Sequence, residues 1–418
     1  MRYAAPTWQP VGGRRGGDGS RGGGGAVSAV EVLAMFCAGG ILAVWLFYPL
    51  VIAALASVRR TGGGASPETR ATVRPRTVSI IIATCDDART VRARVRDCLR
   101  AAPDPGALEV VVGLDAGNAR TTAHELTIPD DEAEPHSGLG SGTVRVVQGD
   151  APGGKAATLN AAVRAARGDL LVFTDAGQCF EPDAIARLAE AFEDERVGAA
   201  SGRLELGGGA RRSLAGRYWS YERWLRRCEA TLHSCVGATG AIWAVRRSLW
   251  QPLPPRLILD DVYAPMRVVL SGYRVAFVDA ARALDQRVSD RTREYHRKVR
   301  TLTGVVQLCC WLPQLLLPSR NPLWVQFVFH KLLRLLTPYW LLGLLACGTL
   351  LGVHWLQSRP ALAAVPVLAL AAVSAAGKAR ALRVAREMLL WGFTLQLAVV
   401  AAGVNAARGR WDVWRTGS

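Results

Sequence analysis

Carboxylates follow the apolar runs of this chain, and one lysine follows a pair of glycines. The acidic positions are Asp86, Asp87, Asp115, Asp175, Asp260 and Asp261. Lys155 stands after Gly153 and Gly154, at the start of a helical pattern. Carboxylates can hold a divalent metal, bind sugar hydroxyls or act as a general base. A lysine at a helix N-terminus suits a diphosphate, so these residues together predict a site for a phosphate-bearing substrate.

The stretch around Asp175 is the centre of this pattern. Leu170 to Phe173 form a short apolar run, which predicts a buried strand of an α/β sheet. Ligands of open α/β sheets bind at the carboxyl ends of the strands, which is where Asp175 falls. Asp175 is therefore a predicted metal ligand. The alternative is an aspartate that only caps the next turn.

The flanking sequence alternates between strand and helix patterns. Further strands are predicted at 77–83, 108–115 and 144–147, and helices at 90–101, at 155–167 and after Pro182. This alternation predicts an α/β fold with parallel strands. The carboxylates are then expected to meet in a cleft at the strand ends, beside the glycine–lysine turn.

The composition points to a membrane protein. The formal net charge of +17 suits anionic partners such as nucleic acid, anionic lipid or nucleotide phosphates. Half of the residues are hydrophobic, and many lie in long uncharged blocks. No zinc-finger spacing or RNA-binding aromatic signature is present, so no nucleic-acid partner is expected. The nine cysteines form no CxxC pair, which argues against a zinc site or a disulfide framework.

The first uncharged block predicts a transmembrane helix over 30–58, kinked at Pro49. A signal peptide is the alternative, because Ala54-Leu55-Ala56 resembles a cleavage site, but the run is longer than a usual signal. Arg59 and Arg60 follow directly, which predicts a cytoplasmic domain next. The predicted location is the plasma (inner) membrane.

The C-terminal part adds apolar blocks at 335–358, 360–377 and 388–407, each able to span a bilayer. A basic segment with apolar residues at helical spacing precedes them and predicts helices at the membrane surface. In chain order, the predicted parts are a disordered Gly/Arg-rich tail at 1–28, a transmembrane helix at 30–58, an α/β domain at 77–290, interfacial amphipathic helices at 291–334, about three transmembrane helices at 335–407 and a tail at 408–418.

With these motifs in this order, the chain from about Thr77 to Arg334 resembles the membrane-bound enzymes of glycosyltransferase family 2, the cellulose- and hyaluronan-synthase-like group. Ser79 to Asp87 is similar to the family's first strand and nucleotide-contacting turn, and Asp115-Ala116-Gly117 to its Asp-Gly-Ser turn. Gly153 to Asn160 is similar to its glycine–lysine helix start. The resemblance implies a GT-A-like, Rossmann-type sheet domain with transmembrane helices on both sides.

The resemblance also implies a role for each site residue. The residues implied to bind a nucleotide-diphosphate sugar are Asp86, Asp87, Asp115, Lys155 and Asp175. Asp175 is implied to hold Mg²⁺ or Mn²⁺ as well. Asp261 is implied to be the catalytic base, with Asp260 beside it. The residues implied to contact the acceptor are Gly240, Gln307 and Trp311.

Two positions depart from the family pattern. Gly177 stands where the second aspartate of the Asp-x-Asp metal motif is expected, so the metal is predicted to bind weakly. Cys310 replaces the arginine of the Gln-x-x-Arg-Trp motif. The predicted function is an inverting glycosyltransferase acting at the membrane on a saccharide or lipid acceptor. The alternatives are a non-catalytic sugar-nucleotide-binding membrane protein and a single-transfer lipid glycosyltransferase.

Overall fold

The structure is a computed structural model, and it describes residues 28–61, 77–101, 108–117, 119–126, 144–207, 214–285, 291–358 and 379–411. The tail predicted at 1–28 lies outside these residues except for Ser28. The Ser28 hydroxyl accepts a hydrogen bond from the Glu31 backbone N–H, and the Glu31 carboxylate accepts one from the Ser28 N–H. This reciprocal pair caps the first helix. The tail predicted at 408–418 is described only as far as residue 411.

The described residues form one eight-stranded sheet. Its strands are β1 Val78–Thr84, β2 Leu108–Leu114, β3 Val144–Gln148, β4 Leu170–Thr174, β5 Gln178–Phe180, β6 Val197–Leu206, β7 Trp243–Arg246 and β8 Arg274–Asp285. Their order across the sheet is β3-β2-β1-β4-β7-β6-β8-β5. The α/β class is confirmed, and the four strands predicted from apolar runs are the first four.

Only one half of the sheet is parallel. β1 pairs in parallel with β2 and β4, and β2 with β3, as predicted. Beyond β4 the sheet is mixed, because β7 runs antiparallel to β4 and β6, and β8 runs parallel to β6 but antiparallel to β5. The prediction of a parallel sheet is wrong for this half. β5 and β7 are only three and four residues long, and β6 and β8 mix apolar residues with small and charged ones, so the sequence pattern does not reveal these strands.

The sheet is buried on both faces, because successive side chains of a strand point to opposite sides. In β1, Ile81 packs with Phe173 and Trp243 in the core on one face. Ile80 and Ile82 belong to the core on the other face. The rings of Phe173 and Trp243 stack with centroids 4.3 Å apart. This packing fixes the carboxyl end of β4, where the candidate site lies.

The helices surround the sheet and extend beyond it at both ends of the chain. They are α1 Ala29–Leu42, α2 Tyr48–Thr61, α3 Ala88–Arg100, α4 Ala123–Leu126, α5 Lys155–Ala165, α6 Ala184–Glu190, α7 Leu214–Leu232, α8 Asp260–Leu270, α9 Arg291–Trp311, α10 Trp324–Phe327, α11 Thr337–Ser358 and α12 Ala379–Ala407. α5 stands between β3 and β4 in the chain and packs on β1 and β2, as a crossover helix of a parallel sheet does.

Among the described residues, two helical segments are long and apolar enough to cross a membrane, Ala29–Arg60 and Trp324–Ser358. The first agrees with the helix predicted over 30–58. A π-helical turn at Ala43–Phe47 interrupts it just before Pro49. Proline has no N–H to donate within a helix, so it disturbs the turn before it. The π-helical turn therefore lies where the kink was predicted.

The C-terminal segments differ from the predicted division. The second apolar helical segment begins at Trp324 and so includes residues 324–334, which were predicted to lie at the membrane surface. The interfacial region at 291–334 stays a prediction. The apolar part of α12 covers Gly392–Ala407 and is shorter than a full span. The middle span predicted at 360–377 lies outside the described residues. α12 packs along α9, and α11 packs on both α1 and α12.

A buried polar cluster joins the apolar helices to α7. The Tyr48 hydroxyl donates to Glu229 at 2.5 Å. His330 lies between two carboxylates of α7, with Nδ1 2.8 Å from Glu229 and Nε2 2.9 Å from Glu222. Arg334 pairs with Glu222 as well. Burial alone would raise the pKa of Glu222, but Arg334 and His330 hold it well below its usual value. Buried charges need such partners, so the cluster fixes how α7 sits on the apolar helices.

Candidate active site

The carboxyl end of β4 is held by a chain of hydrogen bonds. The Arg94 guanidinium is fully buried and donates to the Thr174 hydroxyl at 2.6 Å. Thr174 in turn donates to the Ala241 carbonyl at 2.8 Å. Asp175 therefore follows a residue that is tied to α3 on one side and to the loop before β7 on the other.

Five predicted residues meet at this point. Lys155, the first residue of α5, places its Nζ 3.1 Å from Oδ1 of Asp175 and 3.1 Å from Oδ1 of Asp260. Gly240 completes the group, because a β-carbon added there would lie 3.4 Å from Oδ2 of Asp261 and 3.6 Å from Oδ2 of Asp175. The structure thus gathers Lys155, Asp175, Gly240, Asp260 and Asp261 in one place.

The glycine–lysine turn is fixed by Asp115. Gly153 and Gly154 have φ values of +93° and +99°, which residues with a side chain rarely adopt. The Asp115 carboxylate accepts from the Gly154 N–H at 2.5 Å and from the Gly117 N–H at 2.9 Å. One carboxylate therefore holds two turns, one at Gly117 and one at Gly154. The turn at Gly154 presents Lys155.

Two side-chain amides hold the loop that leads to Asp260 and Asp261. Asn160 of α5 exchanges two hydrogen bonds with Leu253, at 2.8 and 2.9 Å. Gln307 of α9 accepts from the Ile258 N–H at 2.9 Å and donates to the Arg256 carbonyl at 3.0 Å. The pair of acids then begins α8 at a position that contacts with α5 and α9 determine.

The two acids of α8 lie in different surroundings. Asp260 is 5 % exposed and pairs with Lys155. Burial raises the pKa of Asp261 to about 6, and the charge of Asp260 adds to this, whereas Lys155 and Arg226 oppose it. A carboxylate with a raised pKa near neutrality is suited to accept a proton.

Lys155 is a stable cation in this environment. Burial would lower its pKa, but the carboxylates of Asp175, Asp260 and Asp261 outweigh this effect and hold the pKa above its usual value. Lys155 therefore stays charged at neutral pH, when it can offset negative charge on a diphosphate.

Two arginines near the acids were not among the predicted site residues. Arg300 of α9 is close enough to Asp175, Asp260 and Asp261 for their charges to oppose the effect of burial, which lowers its pKa. Arg226 of α7 is close enough to Asp261 for its charge to oppose the rise in the pKa of that carboxyl. Both appear in the sequence only as members of basic, aromatic-rich stretches. Their approach to the acids depends on how the helices pack, and no spacing rule indicates it.

The first acidic pair is placed differently from the others. Asp87 is the N-cap of α3 and accepts from the N–H and the hydroxyl of Thr90, both at 3.0 Å. Asp86 accepts from the Thr84 hydroxyl at 3.0 Å. These contacts organise the turn after β1. Their predicted role in donor binding stays a prediction.

Gln307 and Trp311 do not join the cluster of acids. The Gln307 side chain is fully buried and bonds to the loop before α8. Trp311 lines a separate cavity together with Arg267. The cause is the course of α9, where Arg300, Gly304, Gln307 and Trp311 share one face and only Arg300 is level with the acids. An acceptor role for Gln307 and Trp311 stays a prediction.

The single carboxylate that follows β4, that of Asp175, fits a metal ion that takes most of its ligands from substrate and water. No group of three or more His, Cys, Asp or Glu residues able to hold a metal occurs in the described part of the chain. The Asp175 side chain is 40 % exposed and reachable. Mg²⁺ needs only one or two carboxylates when substrate phosphates complete its octahedron, so Asp175 suffices as the protein ligand.

A sheet of this topology, with carboxylates and a lysine at the carboxyl end of its central strand, defines a GT-A-like domain. Residues 75–310 match the family model described as glycosyltransferase like family 2. The match covers more than half of the chain, and the chain belongs to this family. It is therefore a glycosyltransferase. No curated protein matches it.

One solved structure supports the fold. The mannosyltransferase PcManGT from Pyrobaculum calidifontis, solved with GDP-Man and Mn²⁺, is 22 % identical and superposes with a TM-score of 0.63. The match covers 90 % of this chain and 99 % of that one. A mycobacterial protein matches over 61 % of this chain and 78 % of its own, with 16 % identity and a TM-score of 0.37.

Proposed function

We propose that this protein is an inverting glycosyltransferase that moves a sugar from a nucleotide-diphosphate donor to a saccharide or lipid acceptor at a membrane surface. The observation that supports it is the cluster of Lys155, Asp175, Asp260 and Asp261 around Gly240. It combines a cation for the diphosphate with a carboxylate whose pKa of about 6 suits a base.

In this reaction Asp261 accepts the proton of the acceptor hydroxyl. The hydroxyl oxygen attacks the anomeric carbon from the side opposite the diphosphate. The bond from that carbon to the diphosphate oxygen breaks, and its electrons leave with the diphosphate. One displacement of this kind inverts the configuration. Gly240 lies beside both carboxylates, since a β-carbon at this position would be in van der Waals contact with Asp175 and Asp261.

The leaving diphosphate gains negative charge, and cations of this chain offset it. Lys155 reaches the cluster from α5 and Arg300 from α9. A divalent metal at Asp175, such as Mg²⁺ or Mn²⁺, would supply further electrostatic stabilisation of the diphosphate. Asp115 is implied to bind the donor. Its hydrogen bond to the turn that presents Lys155 is consistent with this role. GDP-mannose is the first donor to test, since the similar mannosyltransferase was solved with it.

An acceptor at the membrane is supported by the position of α9. This helix brings Arg300 to the acids and packs against α12, the last helix of the chain. The Ala29–Arg60 and Trp324–Ser358 segments supply the candidate spans. An acceptor with a lipid part reaches such a site without leaving the bilayer surface, which favours a lipid over a free saccharide.

The deciding experiment incubates membranes containing the protein with a panel of labelled nucleotide sugars, and then identifies the product. Transfer of one sugar, with inverted anomeric configuration, supports the proposal. Tight donor binding without any transfer or donor hydrolysis would favour the non-catalytic alternative instead. A product that carries a single added sugar on lipid would identify the single-transfer reaction.

The membrane part of the proposal is tested by extraction. The protein should stay in the membrane fraction through washes in high salt and be released by detergent. Salt weakens attachment through basic side chains but leaves spanning helices in place. Release by salt alone would mean that the two apolar helices are buried against protein.

A further inference from the structure

A second cavity lies at the far end of α8 from the acids. It has a volume of about 350 Å³ and is lined by Tyr263, Arg267, Leu270, Ser271, Trp311, Leu312, Gln314 and Arg320. Seven residues separate Asp260 from Arg267, a rise of about 10 Å along a helix. None of its lining residues belongs to the cluster around Lys155, so the cavity is a site in its own right.

The charge of this cavity is positive. Its lining holds two guanidinium groups and no carboxylate. Arg267 is oriented by Tyr263, with Nη1 3.3 Å from the phenol oxygen and Cζ 5.9 Å from the ring centroid. Within the described part of the chain, no carboxylate forms an ion pair with Arg267 or Arg320. Both guanidiniums therefore have hydrogen-bond donors available for an anion, and Gln314 adds a neutral one. The Ser271 hydroxyl donates to the Arg267 carbonyl at 3.0 Å, so its oxygen is left as an acceptor.

The surroundings of the cavity combine exposed leucines with tryptophan side chains. Leu316 and Leu317 follow it with 38 and 49 % of their surface exposed. The Trp324 indole donates to the Leu316 carbonyl at 2.9 Å, which ties this loop to the start of the second apolar helix. Trp311 in the lining meets Trp411 edge to face, with centroids 6.3 Å apart. Tryptophan is enriched at membrane–water interfaces, where one side of the ring meets lipid and the other meets water.

We propose that this cavity binds the phosphodiester headgroup of an anionic phospholipid. Arg267 and Arg320 bind the phosphate, because guanidinium groups match its oxygens in pairs. Gln314 donates to the polar part of the headgroup, the Ser271 oxygen accepts from it, and the acyl chains lie along Leu316 and Leu317. The inference rests on the proposed membrane setting but not on the reaction. A free phosphate or a nucleotide would satisfy the guanidiniums but would leave the exposed leucines in water.

The test measures binding of a short-chain phosphatidylglycerol to the full chain, purified in detergent and stripped of lipid. Short-chain phosphatidylcholine and inorganic phosphate are the comparison ligands. Phosphatidylglycerol should bind at least tenfold more tightly than either. The Arg267→Gln/Arg320→Gln variant should lose about tenfold or more in affinity, since a hydrogen bond to a charged group is worth that much. Arg320→Gln alone, which leaves the Arg267 contact with Tyr263 in place, should lose part of it.

Arg408→Gln is the matched control, because Arg408 is an exposed arginine at the end of α12 that does not line the cavity. It should bind phosphatidylglycerol as the wild type does. An equal loss in this variant would mean general charge attraction and would overturn the proposal. Equal affinity for phosphatidylcholine, or a phosphate affinity that matches phosphatidylglycerol, would overturn it too. Sugar transfer is not part of the readout, so an inactive protein with intact lipid binding would contradict only the proposed reaction.

Discussion

Lys155 and Asp260 form an ion pair across the candidate site, with Nζ 3.1 Å from Oδ1 and side chains that are 19 and 7 % exposed. The same nitrogen is 3.1 Å from Asp175. A single ammonium group thus links the end of β4 to the start of α8. A donor diphosphate that enters this site meets a cation already held in place by protein carboxylates.

Replacement of Lys155 by methionine should weaken binding of the donor nucleotide. The variant loses one charged hydrogen bond to the diphosphate, worth about 1.5–3 kcal/mol, or about 10- to 100-fold in Kd. Calorimetric titration with the nucleoside diphosphate measures it, at a temperature where the variant is folded. Arg164→Gln is the control, because Arg164 forms an exposed ion pair with Asp150 and should bind normally. Unchanged affinity in the Lys155 variant would show that its ammonium group only supports the two acids.

Replacement of Asp261 by asparagine should remove transfer but keep donor binding. Loss of a general base lowers the rate by about 10²- to 10⁴-fold. The burial that raises the pKa of Asp261 disfavours its charge, so the neutral amide is not expected to lower the thermal midpoint at pH 8. Asp260→Asn is the comparison, measured in the same transfer assay. A larger loss of rate there would assign the base to Asp260.

The rate should depend on pH in the direction set by Asp261. A base works only when deprotonated, and burial raises the pKa of Asp261 to about 6. The value of kcat/KM should therefore rise from pH 5 to pH 7 and level off above. The residual activity of Asp261→Asn should lack this step. A flat profile in the wild type across the same range would exclude Asp261 as the titrating base.

Replacement of Gln307 by alanine should disturb the acids without touching them. The Ile258 N–H would be left buried without its acceptor, at a cost of about 1–3 kcal/mol in the free energy of unfolding. We expect a lower kcat and a nearly unchanged KM for the donor, because Lys155 stays in place. Gln307→Glu keeps the acceptor but places a fully buried carboxylate against the Arg256 carbonyl, so it should lower stability at least as much as alanine does. If alanine changed neither stability nor kcat, the loop would be held by Asn160 alone.

Turnover should require a divalent cation that binds weakly in the free protein and more tightly with the nucleotide sugar. Asp175 is the sole carboxylate of the expected pair, since Gly177 takes the second position, and phosphates must supply the remaining ligands. Gly177→Asp should raise the metal affinity, measured by titration without nucleotide. Full activity of the wild type in excess chelator would remove the metal from the reaction and leave charge stabilisation to Lys155 and Arg300.

The sequence predicts the centre of the site better than its edges. The run from Leu170 to Phe173 is continuous and apolar because β4 is buried on both faces, so both the strand and the position of Asp175 follow from it. β8, by contrast, includes Arg282 and Asp279, which pair with other charged side chains of the domain. Its charged residues hide it from any rule based on apolar runs.

The residues that helices bring to the site are the least predictable. Arg300 and Gln307 lie on the same face of α9, yet one is close to the acids and the other holds a loop. The sequence motif predicts that Gln307 contacts the acceptor, because a motif specifies the residue type but not how far that residue lies from Asp261. That distance depends on how α9 packs against the α/β domain, which local spacing does not encode.

The shared face of α9 also limits how this chain can change over evolution or in engineering. Arg300, Gly304, Gln307 and Trp311 meet an acid cluster, Leu259, a loop and a cavity in turn. One inserted residue would rotate everything beyond it by about 100° and break those matches together. A functional hybrid of two family members therefore has to inherit α9 and the segment 253–270 from the same parent.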